Sequence, residues 1–175
     1  CSVPTQFNFT ANFSCSDINS TAAYKFEIKD NSSHINTTST RVFNMEKDDI
    51  SFGYVTGNNS IANRSLGQTD LLSLRLYDSD KINYIGNVSG NSTNVTFSVK
   101  YNDATYDSGV IVQTNSTGYT HYYFNATCTP IKYLVGNRAW KAETLSTSEC
   151  YKATATSPFN LTVIGDIVPT LTKPK

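Results

Sequence analysis

An excess of charge is the first thing missing, because fourteen lysines and arginines are balanced by fourteen aspartates and glutamates. A chain with no net field has no electrostatic footprint for nucleic acid or for an anionic membrane surface. Charged residues are scarce altogether at 16%, against roughly 25% in ordinary soluble domains. Solubility therefore has to come from neutral polar groups or from something attached to them. Long apolar runs are lacking too: none approaches the ~18 residues of a spanning helix, so this segment is not expected to insert into a membrane. No leader precedes Cys1, and a processed chain is expected.

Catalytic signatures are equally absent. Of the two histidines, His34 lies in a polar loop and His121 beside an aromatic strand, neither with a nucleophile motif. There is no GxSxG, no phosphate-cradling glycine loop, no HExxH and no Cys/His cluster. The chain therefore reads as a non-enzyme, with no metal and no cofactor beyond covalent N-linked glycans. The acidic pairs Asp48 with Asp49, Asp78 with Asp80, and Asp103 with Asp107 read as solvated turn carboxylates rather than calcium ligands.

What the sequence has in quantity is asparagine, serine and threonine. Thirteen of its 18 asparagines begin an Asn-x-Ser/Thr acceptor: Asn8, Asn12, Asn19, Asn31, Asn36, Asn58, Asn63, Asn87, Asn91, Asn94, Asn115, Asn125 and Asn160. With 43 serines and threonines in 175 residues, chance places about four or five. The excess points to a glycosylating secretory pathway and to an extracellular or cell-surface location. Four cysteines, Cys1, Cys15, Cys128 and Cys150, agree, since an even count in that compartment reads as disulfides.

Apolar residues alternate with polar ones in many short runs. In FNFTANFS, residues 7–14, every second residue is Phe or Ala and two acceptors fall on the polar phase, which predicts a half-buried strand with sugar outside. Leu72, Leu74 and Leu76, then Val95, Phe97 and Val99, then Tyr122, Phe124 and Ala126 repeat the pattern, and Leu161 continues it beside Asn160. Residues 131–135 and 140–144 read as a hairpin around Gly136-Asn137-Arg138. About 11–12 short strands with regular turn signals and no helical periodicity predict an all-β protein. The expected form is a single disulfide-bonded antiparallel β-sandwich, immunoglobulin-like in general architecture, over residues 1–168 with a tail or linker at 169–175.

Strand phase places Cys15 and Cys128 inward, favouring Cys15–Cys128 and Cys1–Cys150; the local pairs Cys1–Cys15 and Cys128–Cys150 remain open. The longest acceptor-free window, 126–159, contains Tyr133, Arg138, Trp140 and Tyr151, types that dominate interface hot spots, and these four form the candidate contact patch. In the alternative reading Trp140 is core, in phase with Ala142 and Thr144. The expected role is structural or adhesive: a subunit of a thread- or pilus-like surface filament or coat, assembled through terminal-strand exchange between copies of itself. The alternative is a surface-receptor or viral-glycoprotein ectodomain that binds a protein ligand through a glycan-free patch.

Overall fold

The computed structural model describes residues 8–18, 21–64, 67–86, 93–127, 132–145 and 147–165. It is all-β, and among these residues the only helical turn is a short 3-10 segment, Cys15–Asp17. The chain divides into two compact units, Cys1–Lys47 and Asp48–Lys175.

In the smaller unit, β1 (Thr21–Tyr24) pairs with β4 (Arg41–Asn44), and β2 (Glu27–Lys29) with β3 (Ile35–Thr37), both antiparallel. The two ladders share one long hairpin, joined where Phe26 and Thr38 exchange bonds. At its tip the Asp30 carboxylate accepts the amides of Ser32 and His34, an Asx-type turn that replaces ladder bonds. Residues 8–14 form no strand, and Phe9 and Phe13 remain 77% and 54% exposed. The half-buried strand expected there is thus corrected. Alternation defines which side chains would share a face, but among the described residues no ladder partner holds the face in place; Phe13 meets the edge of Phe43, 5.4 Å away.

The larger unit holds the core. A three-stranded sheet runs in the order β11 (Tyr119–Asn125), β7 (Thr69–Asp78), β5 (Ile50–Thr56), with the two-residue β8 (Asn83–Tyr84) beside β7. A five-stranded sheet runs β10 (Val110–Gln113), β9 (Asn94–Val99), β12 (Gly136–Thr144), β13 (Phe159–Ile164), β6 (Ser60–Asn63). All pairings are antiparallel except β13 with β6. The inward phases of both sheets, including Leu72, Leu74, Leu76 and Phe124 from one and Val95, Phe97, Val99 and Trp140 from the other, join a single apolar cluster. The chain passes from β5 to β6 at Gly57, whose φ of +106° disfavours a side chain. A Cβ there would lie 2.7 Å from Leu72 Cδ2, and the Gly57 carbonyl accepts a bond from Trp140 Nε1 at 2.9 Å.

Two expectations are corrected here. Gly136-Asn137-Arg138 is no hairpin turn: Gly136, at φ +115°, opens β12, and the strand runs on through Arg138. Glycine and asparagine mark strand ends as well as turns, and here the inward alternation of Arg138, Trp140, Ala142 and Thr144 prevails. The disulfide is Cys15–Cys150, which replaces the favoured Cys15–Cys128 and Cys1–Cys150 pairs and the local alternative alike. The favoured pairing rested on Cys15 continuing a strand, whereas Cys15 begins the 3-10 turn. Cys1, Cys128 and the tail at 169–175 lie outside the described residues.

Candidate binding face

Three of the thirteen acceptor asparagines, Asn19, Asn87 and Asn91, lie outside the described residues. Of the other ten, Asn8, Asn12, Asn31, Asn36, Asn58, Asn94, Asn115 and Asn160 are exposed, and Asn63 and Asn125 are half-buried. Asn115 organises the β10–β11 turn through its side-chain oxygen, which accepts the amides of Thr117 and Tyr119 at 3.0 Å each and the Thr117 hydroxyl at 2.9 Å. Asn58 likewise uses its oxygen, accepting the Asn160 amide at 2.9 Å. In both, these bonds leave the amide nitrogen, the atom that carries an N-linked sugar, outside them.

The contact patch expected at Tyr133, Arg138, Trp140 and Tyr151 is not on the surface. These residues are 7%, 6%, 0% and 5% exposed. Trp140 stacks on Phe159 with centroids 4.5 Å apart and on Phe97 at 6.0 Å, so its inward strand phase prevails over its interface chemistry. Tyr133 donates its hydroxyl to Asp107 at 2.5 Å. The Asp107 carboxylate in turn accepts the amides of Val99 and Gly109, tying the 101–109 loop to β9.

Burial, followed by the bond to Asp107, raises the Tyr133 pKa far above its ordinary 10.0. The neutral phenol is the stabilised form, so the contribution is fully present below pH 10.0 and is lost as pH rises beyond it. Thermal melts in alkaline buffers are expected to fall less steeply for Tyr133→Phe than for the parent, with the variant about 1 kcal/mol less stable near neutrality. Parallel curves would show that Tyr133 is not the group responsible.

The acidic pairs found in the sequence are engaged within the larger unit. Lys81 bridges Asp48 and Asp78, Lys152 pairs with Asp49, and Asp80 accepts the Asp49 amide. The hydrogen bond to Asp48 leads the causes that raise the Lys81 pKa. Among the described residues no cluster of three His, Cys, Asp or Glu side chains is placed to hold a metal.

An aromatic and cationic face, exposed at Tyr84 and Tyr123 and half-buried at Arg75, Tyr119 and His121, lies on the outward phase of the three-stranded sheet. Register sets Tyr119 opposite Arg75 and His121 opposite Ser73, while β8 brings Tyr84 opposite Tyr77. The Arg75 guanidinium lies 3.2 Å from the ring centroid of Tyr84 and 4.6 Å from that of Tyr119, and its Nε donates to the Thr117 carbonyl at 3.0 Å. His121 stacks on Tyr119 at 5.7 Å, its Nδ1 lies 2.7 Å from the Ser73 hydroxyl, and Tyr123 is 63% exposed. Beside Arg75 opens a cleft of about 310 Å³.

The acceptors divide unevenly between the sheets. Asn94 on β9, Asn160 on β13 and Asn63 on β6 fall on the outward phase of the five-stranded sheet, opposite in phase to buried Val95, Leu161 and Ala62. On the described strands of the three-stranded sheet only Asn125, at the far end of β11, is an acceptor. Sequence reasoning passed over Arg75, Tyr84, Tyr119 and Tyr123, and weighed His121 only as a catalytic residue. Their outward phase was legible, but their convergence depends on the β7–β11 register. The sequence matches no protein-family model and shows no significant similarity to a curated protein.

Proposed function

We propose that this chain is an extracellular, N-glycosylated adhesive surface protein, whose larger unit is an immunoglobulin-like sandwich that binds a protein or glycan partner through the face around Arg75. The observation that carries this reading is the asymmetry between the sheets: three acceptors lie on the outward phase of one, whereas the other presents an aromatic, cationic surface with the single acceptor Asn125 at its end. Sugar prevents a sheet face from packing, while Tyr and Arg are the side chains that contribute most to contacts. The fold assignment draws support from the strand order. One sheet runs β5-β7-β11 and the other β6-β13-β12-β9-β10, with the first strand of the unit divided between them at Gly57, as in sandwiches of the immunoglobulin type. A filament joined by exchange of the C-terminal strand fits less well. β13 is paired on both sides, with β12 and β6, so the chain through Ile164 completes its own sheet.

A glycan placed on the face tests the reading. Tyr123→Asn with Asn125→Thr creates an acceptor on the face, two strand positions beyond His121, and Ala139→Asn with Lys141→Thr creates one on the opposite sheet. Beads coated with the secreted protein are expected to lose clustering, or cell attachment, with the first pair and to keep it with the second. Equal behaviour of the two would remove the face from the function. Mass-spectrometric mapping of the same preparations is expected to find sugar at the exposed acceptors and lower occupancy at half-buried Asn63 and Asn125. Occupancy at only a few positions would remove the basis for the reading altogether.

A further inference from the structure

We infer that the cleft beside Arg75 binds the carboxylate of an acidic saccharide, a uronate or a sialate; this rests on the adhesive reading and names its ligand. The cation is immobilised before any ligand arrives. Arg75 is clamped between the rings of Tyr84 and Tyr119, with its Nε on the Thr117 carbonyl. No carboxylate among the described residues pairs with it, and its terminal nitrogens have no protein acceptor there. A fixed guanidinium with two open N–H edges matches a carboxylate in bidentate geometry, and preorganisation removes the ordering cost that a free arginine would incur.

The other cation at the cleft is already paired, since Lys81 bridges Asp48 and Asp78, the latter itself a residue of the cleft wall. Lys81 sets one positive charge against two negative ones, and Arg75 is the cation of the cleft that no carboxylate among the described residues pairs with. The cleft is about 310 Å³, room for one or two sugar rings at the small end of binding pockets. Its described wall is divided between polar side chains and the apolar surface of Tyr84, Tyr151 and Ile85, the one aliphatic side chain, against which the face of a sugar ring can lie. Asn83, Ser116 and Thr117 suit hydroxyl groups, whereas an acidic peptide would need apolar subsites for its neighbouring side chains.

Titration of the whole chain with 3′-sialyllactose, with a glucuronate-containing disaccharide and with neutral lactose tests the inference, read by calorimetry and by NMR shifts. Saturable binding is expected for one acidic sugar or both, and none for lactose; whichever binds identifies the sugar. Arg75→Gln is expected to weaken that binding at least tenfold while the circular dichroism spectrum is unchanged. Should that variant fail to fold, Asn83→Asp places a like charge on the cleft wall, keeps the acceptor that Asn83 offers the Tyr84 amide, and is expected to weaken the acidic sugar alone.

Lactose binding as tightly, no binding of either acidic sugar, or unchanged affinity in both variants would overturn the inference. Tighter binding of triglutamate than of either sugar would overturn it in favour of a peptide. Bead clustering separates this inference from the reading beneath it. If Arg75→Gln beads still cluster and no sugar binds, the adhesive face stands and the saccharide falls; if the glycan on the face leaves clustering intact, the face itself falls.

Discussion

Replacing Trp140 with alanine is expected to lower the stability of the larger unit by about 3–5 kcal/mol, the range for a buried tryptophan or phenylalanine truncated in a packed core. The side chain is fully buried between Phe159 and Phe97, and the bond from its Nε1 holds the carbonyl of Gly57, where the chain crosses from one sheet to the other. Truncation removes the packing and leaves that carbonyl without its donor. Trp140→Phe separates the two losses: it keeps most of the ring volume, and the missing donor alone is expected to cost about 1–2 kcal/mol. Urea unfolding followed by circular dichroism measures both, because the variants lack the only tryptophan that could report by fluorescence. For contrast, Tyr123→Ala on the exposed face is expected to fall within about 0.5 kcal/mol of the parent. A Trp140→Ala variant as stable as the parent would return Trp140 to the surface and revive the contact patch first drawn around it.

That patch shows which kinds of information a sequence carries locally. Alternation is a property of neighbouring residues, so the inward faces of β7, β9 and β13 were readable: Leu72, Leu74, Leu76, Val95, Phe97, Val99, Leu161 and Val163 are all buried. It also placed Trp140 in phase with Ala142 and Thr144, and that signal outweighed the chemistry that makes tryptophan an interface residue. Alternation does not say whether a strand has a partner. Residues 7–14 alternate as cleanly as 72–77, yet residues 8–14 form no ladder and their phenylalanines are exposed.

Pairing is the property that local pattern misses, for cysteines as for strands. The Cys15–Cys150 bond joins residues far apart in sequence, and strand phase had nothing to say about position 150. The candidate face has the same origin. Arg75, Tyr119 and Tyr84 each sit on an outward phase, but they meet only because β11 and β8 lie end to end along one edge of β7, in registers that set Tyr119 against Arg75 and Tyr84 against Tyr77. The acceptor motif, by contrast, is three residues long and was found in full, and every described acceptor is at least partly accessible.

Arg138 is the second position where a large effect is expected, and its importance lies in carbonyls rather than in its ion pair. It sits on the inward phase of β12, 6% exposed, with Nε donating to the Leu134 carbonyl at 3.0 Å and Nη2 to the Val135 carbonyl at 3.1 Å. Nη1 meets Asp103 at 2.5 Å, but that carboxylate is 93% exposed. Solvent screens such a pair, so Asp103→Ala is expected to cost about 0–1 kcal/mol. Arg138→Ala should cost about 2–4 kcal/mol, because two partly enclosed carbonyls lose their donor and the space filled by the side chain is left open. Arg138→Met, which restores most of the volume but none of the bonds, is expected to fall between them. The double variant Arg138→Ala with Asp103→Ala should match Arg138→Ala to within about 0.5 kcal/mol, since Asp103 without its partner is a solvated surface charge. Chemical denaturation of the four proteins decides the matter. A loss from Asp103→Ala as large as that from Arg138→Ala would show that the ion pair, and not the carbonyl bonds, fixes the start of β12.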